Sequence, residues 1–260
     1  MDKSKLTLDS VSYSYQDGRE FRFSDLSFEV PKNTITCILG RNGVGKTTLL
    51  LLILGYLKPS SGFIMYPHSE KDASSPSANN IIAYLPQIET APFNIAVSDY
   101  VLMGRVPFIS PYKVPDQEDI QKVERNLELL EIQHIRDSEI GKISGGELQR
   151  VRIARALTQE SDLILLDEPI THLDINAKFA MMELIQKMRN MGKTVIFTTH
   201  DPVEALQISD LALLIHTDRN VVFGPTPQVV TSHNLSECFN IPIIITTHET
   251  GFACVVQKKL

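Results

Sequence analysis

Three groups of residues carry types and spacings that could do chemistry. Gly40-Arg41-Asn42-Gly43-Val44-Gly45-Lys46-Thr47-Thr48 fits the pattern GxxxxGK[ST]. In such a loop the glycines let backbone N–H groups curl around phosphate oxygens, and the following helix start adds partial positive charge. Lys46 is then expected to reach the β- and γ-phosphates of a nucleoside triphosphate, and the Thr47 hydroxyl to ligate magnesium. The second group is Asp167-Glu168 at the end of the apolar run Leu163–Leu166. A buried parallel strand would present both carboxylates at its C-terminal edge, beside the phosphate loop. There Asp167 would hold magnesium directly or through water, and Glu168 would orient and deprotonate an attacking water. Without the phosphate loop, the same pair would read as a solvated strand end. The third group, Ser144-Gly145-Gly146-Glu147, opens a helix and satisfies a capping box. Its two glycines also permit close backbone approach to an anion, which a cap alone does not require.

These groups need particular elements to position them. The loop at Gly40 follows a strand predicted over Thr34–Leu39 and precedes a helix predicted over Thr47–Leu57 with leucine on nearly every side. Leu6–Tyr15 and Phe21–Val30 alternate apolar and polar residues and read as antiparallel strands joined by a turn at Asp17-Gly18. Asn33 suits a left-handed turn before the next strand. Tyr66–Asn80 has loop composition and leads to a strand over Ile81–Leu85. Residues 88–143 change character, with helical stretches at Ser98–Arg105 and Asp116–Ile132. In the second, Ile120, Val123, Leu127 and Leu130 fall at helical spacing. Strands return at Asp162–Asp167, Thr194–Thr199 and Leu211–His216 with helices between. The expected fold is α/β: a P-loop NTPase core with a mostly parallel sheet, an N-terminal antiparallel β subdomain and an inserted α-helical subdomain. One domain is expected over 1–260, with 1–87 and 144–260 forming the core and 88–143 the insertion.

Composition narrows the function classes. At 43% hydrophobic and 22% charged residues, the chain has the composition of a globular protein with a buried core. A formal net charge of -6 argues against a basic nucleic-acid binder. Cys37, Cys238 and Cys254 lie far apart, without paired zinc spacing or a CxxC motif, which favours a reducing compartment. The N-terminus lacks a signal-peptide pattern, and no apolar run reaches the roughly 18 residues of a membrane span.

With these residues in place, the chain resembles the ATP-binding cassette family of transporter ATPases over essentially its whole length. Gly40–Thr48 matches the family's Walker A loop, Gln87 its Q-loop, Ser144–Gln149 its signature, and Leu163–Glu168 its Walker B strand. Thr171–Asp174 matches the D-loop and His200 the H-loop. The resemblance implies ATP as substrate and Mg2+ as cofactor. It also implies a head-to-tail dimer in which each ATP lies between one copy's phosphate loop and the other's Ser144–Glu147. It gives Tyr15 the adenine-stacking role, with Tyr13 as competitor. It has His200 contact the γ-phosphate, Gln87 sense magnesium and water, and Asp174 reach across the dimer. Ile143 and Ile170 depart from the commonest family wording, at positions away from the inferred phosphate ligands.

Val101-Leu-Met-Gly-Arg105 and the endings Val221–Val230 and Asn234–Phe239 resemble the metal-chelate importers, the ATPases of iron-siderophore, haem, cobalamin and molybdate or tungstate uptake. The partners implied are membrane-spanning permease subunits, contacted near Gln87 and residues 88–110, and indirectly a solute-binding protein. The place implied is the cytoplasmic face of the membrane, peripherally attached. A soluble cassette ATPase acting on nucleic acid or ribosomes is the runner-up, but heptads, a basic tail and a second cassette are missing from this sequence. A phosphotransferase would use the same loop, yet Ser144–Gln149 with His200 argues against it.

Overall fold

The computed structural model describes residues 5–15, 22–67, 82–87, 95–110, 112–171, 173–247 and 253–257. The Asp17-Gly18 turn, most of the loop expected over Tyr66–Asn80, residues 88–94 and His172 lie outside the described residues. In chain order the elements are β1 (Leu6–Ser14), β2 (Arg22–Val30), β3 (Ile35–Gly40), α1 (Lys46–Ile53), β4 (Ser61–Met65) and β5 (Ile82–Leu85). Then come α2 (Val97–Leu102), α3 (Gln117–Leu129), α4 (Gly145–Thr158), β6 (Leu163–Leu166), α5 (Ile175–Asn190), β7 (Thr194–Thr199) and α6 (Pro202–Ile208). β8 (Leu211–Ile215), β9 (Val221–Pro225), α7 (Thr226–Val229), α8 (Ser232–Phe239), β10 (Ile243–Thr247) and β11 (Ala253–Gln257) complete the chain.

The fold is mixed α/β, with an antiparallel N-terminal sheet and a mostly parallel main sheet. The first sheet has the order β2-β1-β4. Along β1, Leu6 and Leu8 point inward, and alternation then slips at Asp9-Ser10, where Ser10 turns to φ 52°. That bulge returns Val11 and Tyr13 to the same buried face. The main sheet has the order β5-β6-β7-β3-β8-β9, parallel except for β9. Every residue of β3, β6 and β7 is buried, as expected of strands covered on both faces. On one face Cys37 and Leu39 pack among residues of α2 to α6. On the other, Ile38 packs with α1 and the N-terminal sheet.

α1 stops at Ile53, short of the expected Leu57, because the chain turns at Gly55 with φ 74°. The stretch expected as one helix over Ser98–Arg105 is α2 followed by a 3-10 turn over Met103–Phe108 that contains Pro107. α3 begins with Asp116 as a capping-box N-cap. Val123, Leu127 and Leu130 face the core, whereas Ile120, one turn in, is about half exposed. α2 and α3 pack on α4 and share one hydrophobic cluster with β3 and β6. Asn33 has φ 56°, the left-handed turn its sequence favours. No helix among the described residues is long and apolar enough to cross a membrane.

Candidate active site

The C-terminal ends of the parallel strands open onto one crevice, the place where open α/β sheets bind ligands. β3 feeds the loop at Gly40, β5 ends before Gln87, β6 before Asp167-Glu168, and β7 before His200. In the order of the sheet, β7 lies between β6 and β3. The carboxylates are therefore not on the strand next to the phosphate loop, and side chains span the gap. Thr47 Oγ1 donates to Asp167 Oδ2 at 2.7 Å, and Lys46 Nζ lies 3.3 Å from Glu168 Oε1.

Gly43 and Gly45 take φ of 82° and 113°, which strain a residue with a Cβ and which this loop needs in order to fold back on the start of α1. Val44 is buried beneath the loop, and Arg41, Asn42 and Gly43 are exposed around it. Lys46, the first residue of α1, is only 5% exposed, and its ammonium donates to the carbonyls of Gly40 and Arg41. Tyr15 and Thr48 share a hydroxyl hydrogen bond of 3.1 Å, and Tyr15 lines the cleft with Asn42, Lys46, Thr47, Gln87 and Glu168. Tyr13 meets Tyr15 edge to face at 5.1 Å and is itself buried, so of the two rings Tyr15 is the one on the cleft.

Glu168 gathers the site. Besides Lys46, its Oε2 accepts from Gln87 Nε2 at 3.2 Å and from Thr171 Oγ1 at 3.0 Å, and it lies 3.6 Å from His200 Nδ1. Its backbone is left-handed at φ 48° and its N–H donates to Thr198 Oγ1 at 2.8 Å. The Thr198 hydroxyl donates in turn to Asp167 Oδ1 at 2.6 Å. One buried hydroxyl on β7 thus holds the Asp167 carboxylate and the Glu168 backbone just beyond the end of β6. Sequence reasoning missed Thr198, which reads as an ordinary β-branched strand residue in Thr194–Thr199.

The remaining predicted residues stand elsewhere. Ser144 caps α4 with Glu147 in the expected box, with Glu147 Oε2 accepting from Ser144 Oγ at 2.6 Å and Ser144 N at 2.8 Å. Those bonds, with His134 at 3.6 Å from Glu147, hold the Glu147 carboxyl below its ordinary pKa. Gly145 and Gly146 face open space: a Cβ there would meet nothing within 4 Å. Ser144–Glu147 do not line the cleft around the phosphate loop. Asp174 is the exposed N-cap of α5, accepting from Ala177 N at 2.9 Å, and is likewise outside that lining. Within one chain, then, the structure joins Tyr15, the loop, Gln87, Asp167, Glu168 and His200, and leaves Ser144–Glu147 and Asp174 apart.

Magnesium suits hard oxygen donors in a site with room for water. Thr47 Oγ1 and Asp167 Oδ2 are such a pair, already within hydrogen-bond distance, and the Gln87 side chain lines the same cleft. The residues present fit that ion.

A family model described as ABC transporter matches residues 23–171. The chain is 36% identical over 239 residues to the molybdate import ATP-binding protein MolC of Haemophilus influenzae, covering 92% of this chain and 89% of that protein. It is 35% identical over 239 residues to the chelated iron transport system membrane protein YfeB of Yersinia pestis, covering 91% of this chain and 79% of that one. Among solved structures, one assigned to the metal-chelate type of ABC transporter, in an inward-facing conformation, superposes with a TM-score of 0.87 at 33% identity and 98% coverage of both chains.

Proposed function

The chain belongs to the ABC transporter family, whose ATP-binding subunits hydrolyse ATP, and on that premise we propose that it drives an importer of metal chelates or oxyanions. The observation that carries the hydrolytic part is the convergence of Lys46, Gln87, Thr171 and His200 on the Glu168 carboxylate. The phosphate loop, Gly40–Thr48, receives the ATP phosphates on its backbone N–H groups, and Lys46 exchanges its contact with Glu168 for the β- and γ-phosphates. Tyr15 stacks on the adenine. Thr47, Asp167 and Gln87 would hold Mg2+, which neutralises phosphate charge when bound. Glu168 accepts the proton of the attacking water, held in line by Gln87, while His200 donates to the γ-phosphate.

One chain supplies half of this machinery. Ser144, Gly145 and Gly146 lie exposed, and Glu147 half-buried, at the positive end of α4, away from the chain's own cleft, which supports their serving the ATP of a second copy placed head to tail. Asp174, exposed at the start of α5, then reaches across the same interface. Met103, Val106 and Phe108 are between 43% and 63% exposed on the turn after α2, an apolar face suited to a permease segment. In this reading, closure of the two copies on ATP pushes on two membrane-spanning subunits at the cytoplasmic face, and hydrolysis reopens them. A solute-binding protein is the indirect partner, and nucleic acid is not one.

Purification of the full chain from its own membranes in mild detergent tests this. A membrane-spanning protein should copurify, and the small molecule bound to the complex identifies the solute class. Recovery with ribosomes or nucleic acid instead would overturn the transport reading.

A further inference from the structure

The residues that flank His200 are held by a charged cluster whose cation comes from a different element. Glu204 on α6 is 4% exposed, and both its oxygens are engaged: Oε1 meets Lys178 Nζ at 2.7 Å and Oε2 accepts from Thr199 Oγ1 at 2.5 Å. Asp201 caps α6 through Oδ1, which accepts from Val203 N at 2.9 Å, and meets the same Lys178 ammonium through Oδ2 at 3.2 Å. Thr199 Oγ1 also accepts from Asp201 N at 3.0 Å. The residue before His200 and the residue after it are thereby fixed to one another and to Lys178. His200 itself remains 45% exposed on the cleft that it shares with Lys178, Asn42 and Glu168.

Lys178 lies one helical turn into α5, and its backbone N–H donates to the carbonyl of Asp174, the N-cap, at 2.8 Å. A displacement of the Asp174 turn therefore moves the base of the Lys178 side chain. Burial alone would depress the Lys178 pKa. Hydrogen bonding and charge from Glu204, then from Asp201, outweigh it and leave the pKa raised, so the ammonium stays charged. Without it, the Asp201 and Glu204 carboxylates would lack their shared cation, and the buried one would be left as an uncompensated charge.

We propose that Lys178 is a positioning residue for ATP hydrolysis, which sets the His200 loop by bridging Asp201 and Glu204 and ties that loop to the Asp174 turn. The inference rests on the reading of His200 and Glu168 as parts of the hydrolytic site. It places a mechanical link between the segment expected to face the second copy and the side chain expected to contact the γ-phosphate. ATP binding, which falls to the phosphate loop, should be spared when this link is cut.

Steady-state ATP hydrolysis and ATP binding by the full chain test it. Lys178→Met should lower kcat on the order of 10- to 100-fold through misplacement of His200, with ATP affinity within about twofold of the parent. Lys178→Arg should retain most of the rate, because it keeps the cation. In an His200→Ala background, Lys178→Met should cost nothing further, a result that a general loss of structure would not give. A variant with Glu204→Gln added to Lys178→Met removes the unpaired buried charge, and should melt near the parent temperature yet still hydrolyse slowly. Parent-like turnover of Lys178→Met, a full loss repeated in the His200→Ala background, or recovery of the rate in the double variant would each overturn the proposal. Failure of the parent chain itself to hydrolyse ATP would refute the function reading instead, and so is distinguishable.

Discussion

Replacing Thr198 by valine removes one hydroxyl and keeps the shape of the side chain, and the structure sets how much that should cost. Thr198 is fully buried, accepts from the Glu168 N–H at 2.8 Å and donates to Asp167 Oδ1 at 2.6 Å. The bond to a charged acceptor is worth about 1.5–3 kcal/mol and the neutral one about 1 kcal/mol, so the loss is about 2.5–4 kcal/mol. At about 2–4 °C per kcal/mol for a domain of this size, Tm should fall by about 5–16 °C. Turnover should fall as well, because this bond anchors the N–H of a residue held at φ 48° whose carboxylate must stay aimed into the cleft. A misplacement of that kind costs on the order of 10- to 100-fold in kcat. Calorimetric unfolding and a phosphate-release assay read the two effects. Thr198→Ser keeps the hydroxyl and gives up one methyl, about 1 kcal/mol, so it should lose a few degrees while hydrolysing nearly as fast as the parent. A valine variant that melts within about 2 °C of the parent and turns over at the parent rate would refute the anchoring of Asp167 and the Glu168 backbone by this one hydroxyl.

Three further outcomes are expected. Glu168→Gln should cut turnover by about 10²–10⁴-fold and leave an ATP-bound dimer visible by size exclusion, and near-normal hydrolysis would remove Glu168 as the base. Arg105 lies buried with Nε 2.7 Å from Asp119 Oδ1, so Arg105→Met should cost about 1.5–3 kcal/mol in urea unfolding near neutral pH by removing the charged hydrogen bond to that carboxylate. The hydrogen bond from Arg105 holds the Asp119 pKa below its ordinary value, so this stability is complete above the ordinary carboxylate pKa and is lost as pH falls through the lowered one. The gap between the parent and the methionine variant should therefore narrow in acid, and a gap independent of pH would contradict the pairing. Gly104→Ala would place a Cβ 2.3 Å from the carbonyl oxygen of Arg155, so it should destabilise the packing of the 3-10 turn after α2 against α4 by about 1–3 kcal/mol, measured by the same unfolding.

Much of the site was legible because its residues sit where the elements must end. Thr34–Leu39 reads as a buried strand, and the glycine-rich loop after it falls at a helix start on sequence alone. The same held for Leu163–Leu166 and the two carboxylates that follow. What escaped was non-local. Thr198 and Thr199 look like strand filler until β7 is known to lie between β3 and β6, and Lys178 joins Asp201 only when α5 packs beside α6. β4 was unread because Ile64 is its one buried residue, and exposed edge strands carry little alternation. β10 was also missed, although Ile243-Ile-Ile-Thr-Thr247 is rich in β-branched residues that could have marked it. Ile120 followed the helical period and still faces solvent, since a period of three and four residues fixes a stripe without fixing how far it reaches past the helix start.

The position of β3 in the sheet has a consequence for the nascent chain. Both neighbours of β3 are encoded far downstream: Ile35 pairs with Val195, and Thr36 with Leu211. At about 5–20 residues per second, the ribosome needs roughly 8–30 s to supply the first of them. During that interval the apolar Ile35–Leu39 segment has no strand on either side, and loop closure over so long a separation is slow. The N-terminal sheet and α1 have all been synthesised by then and can shelter one face of it. Nucleotide binding is thus expected to arise late in synthesis, and chains released before residue 199 should emerge with a phosphate loop in sequence and no crevice in which to use it.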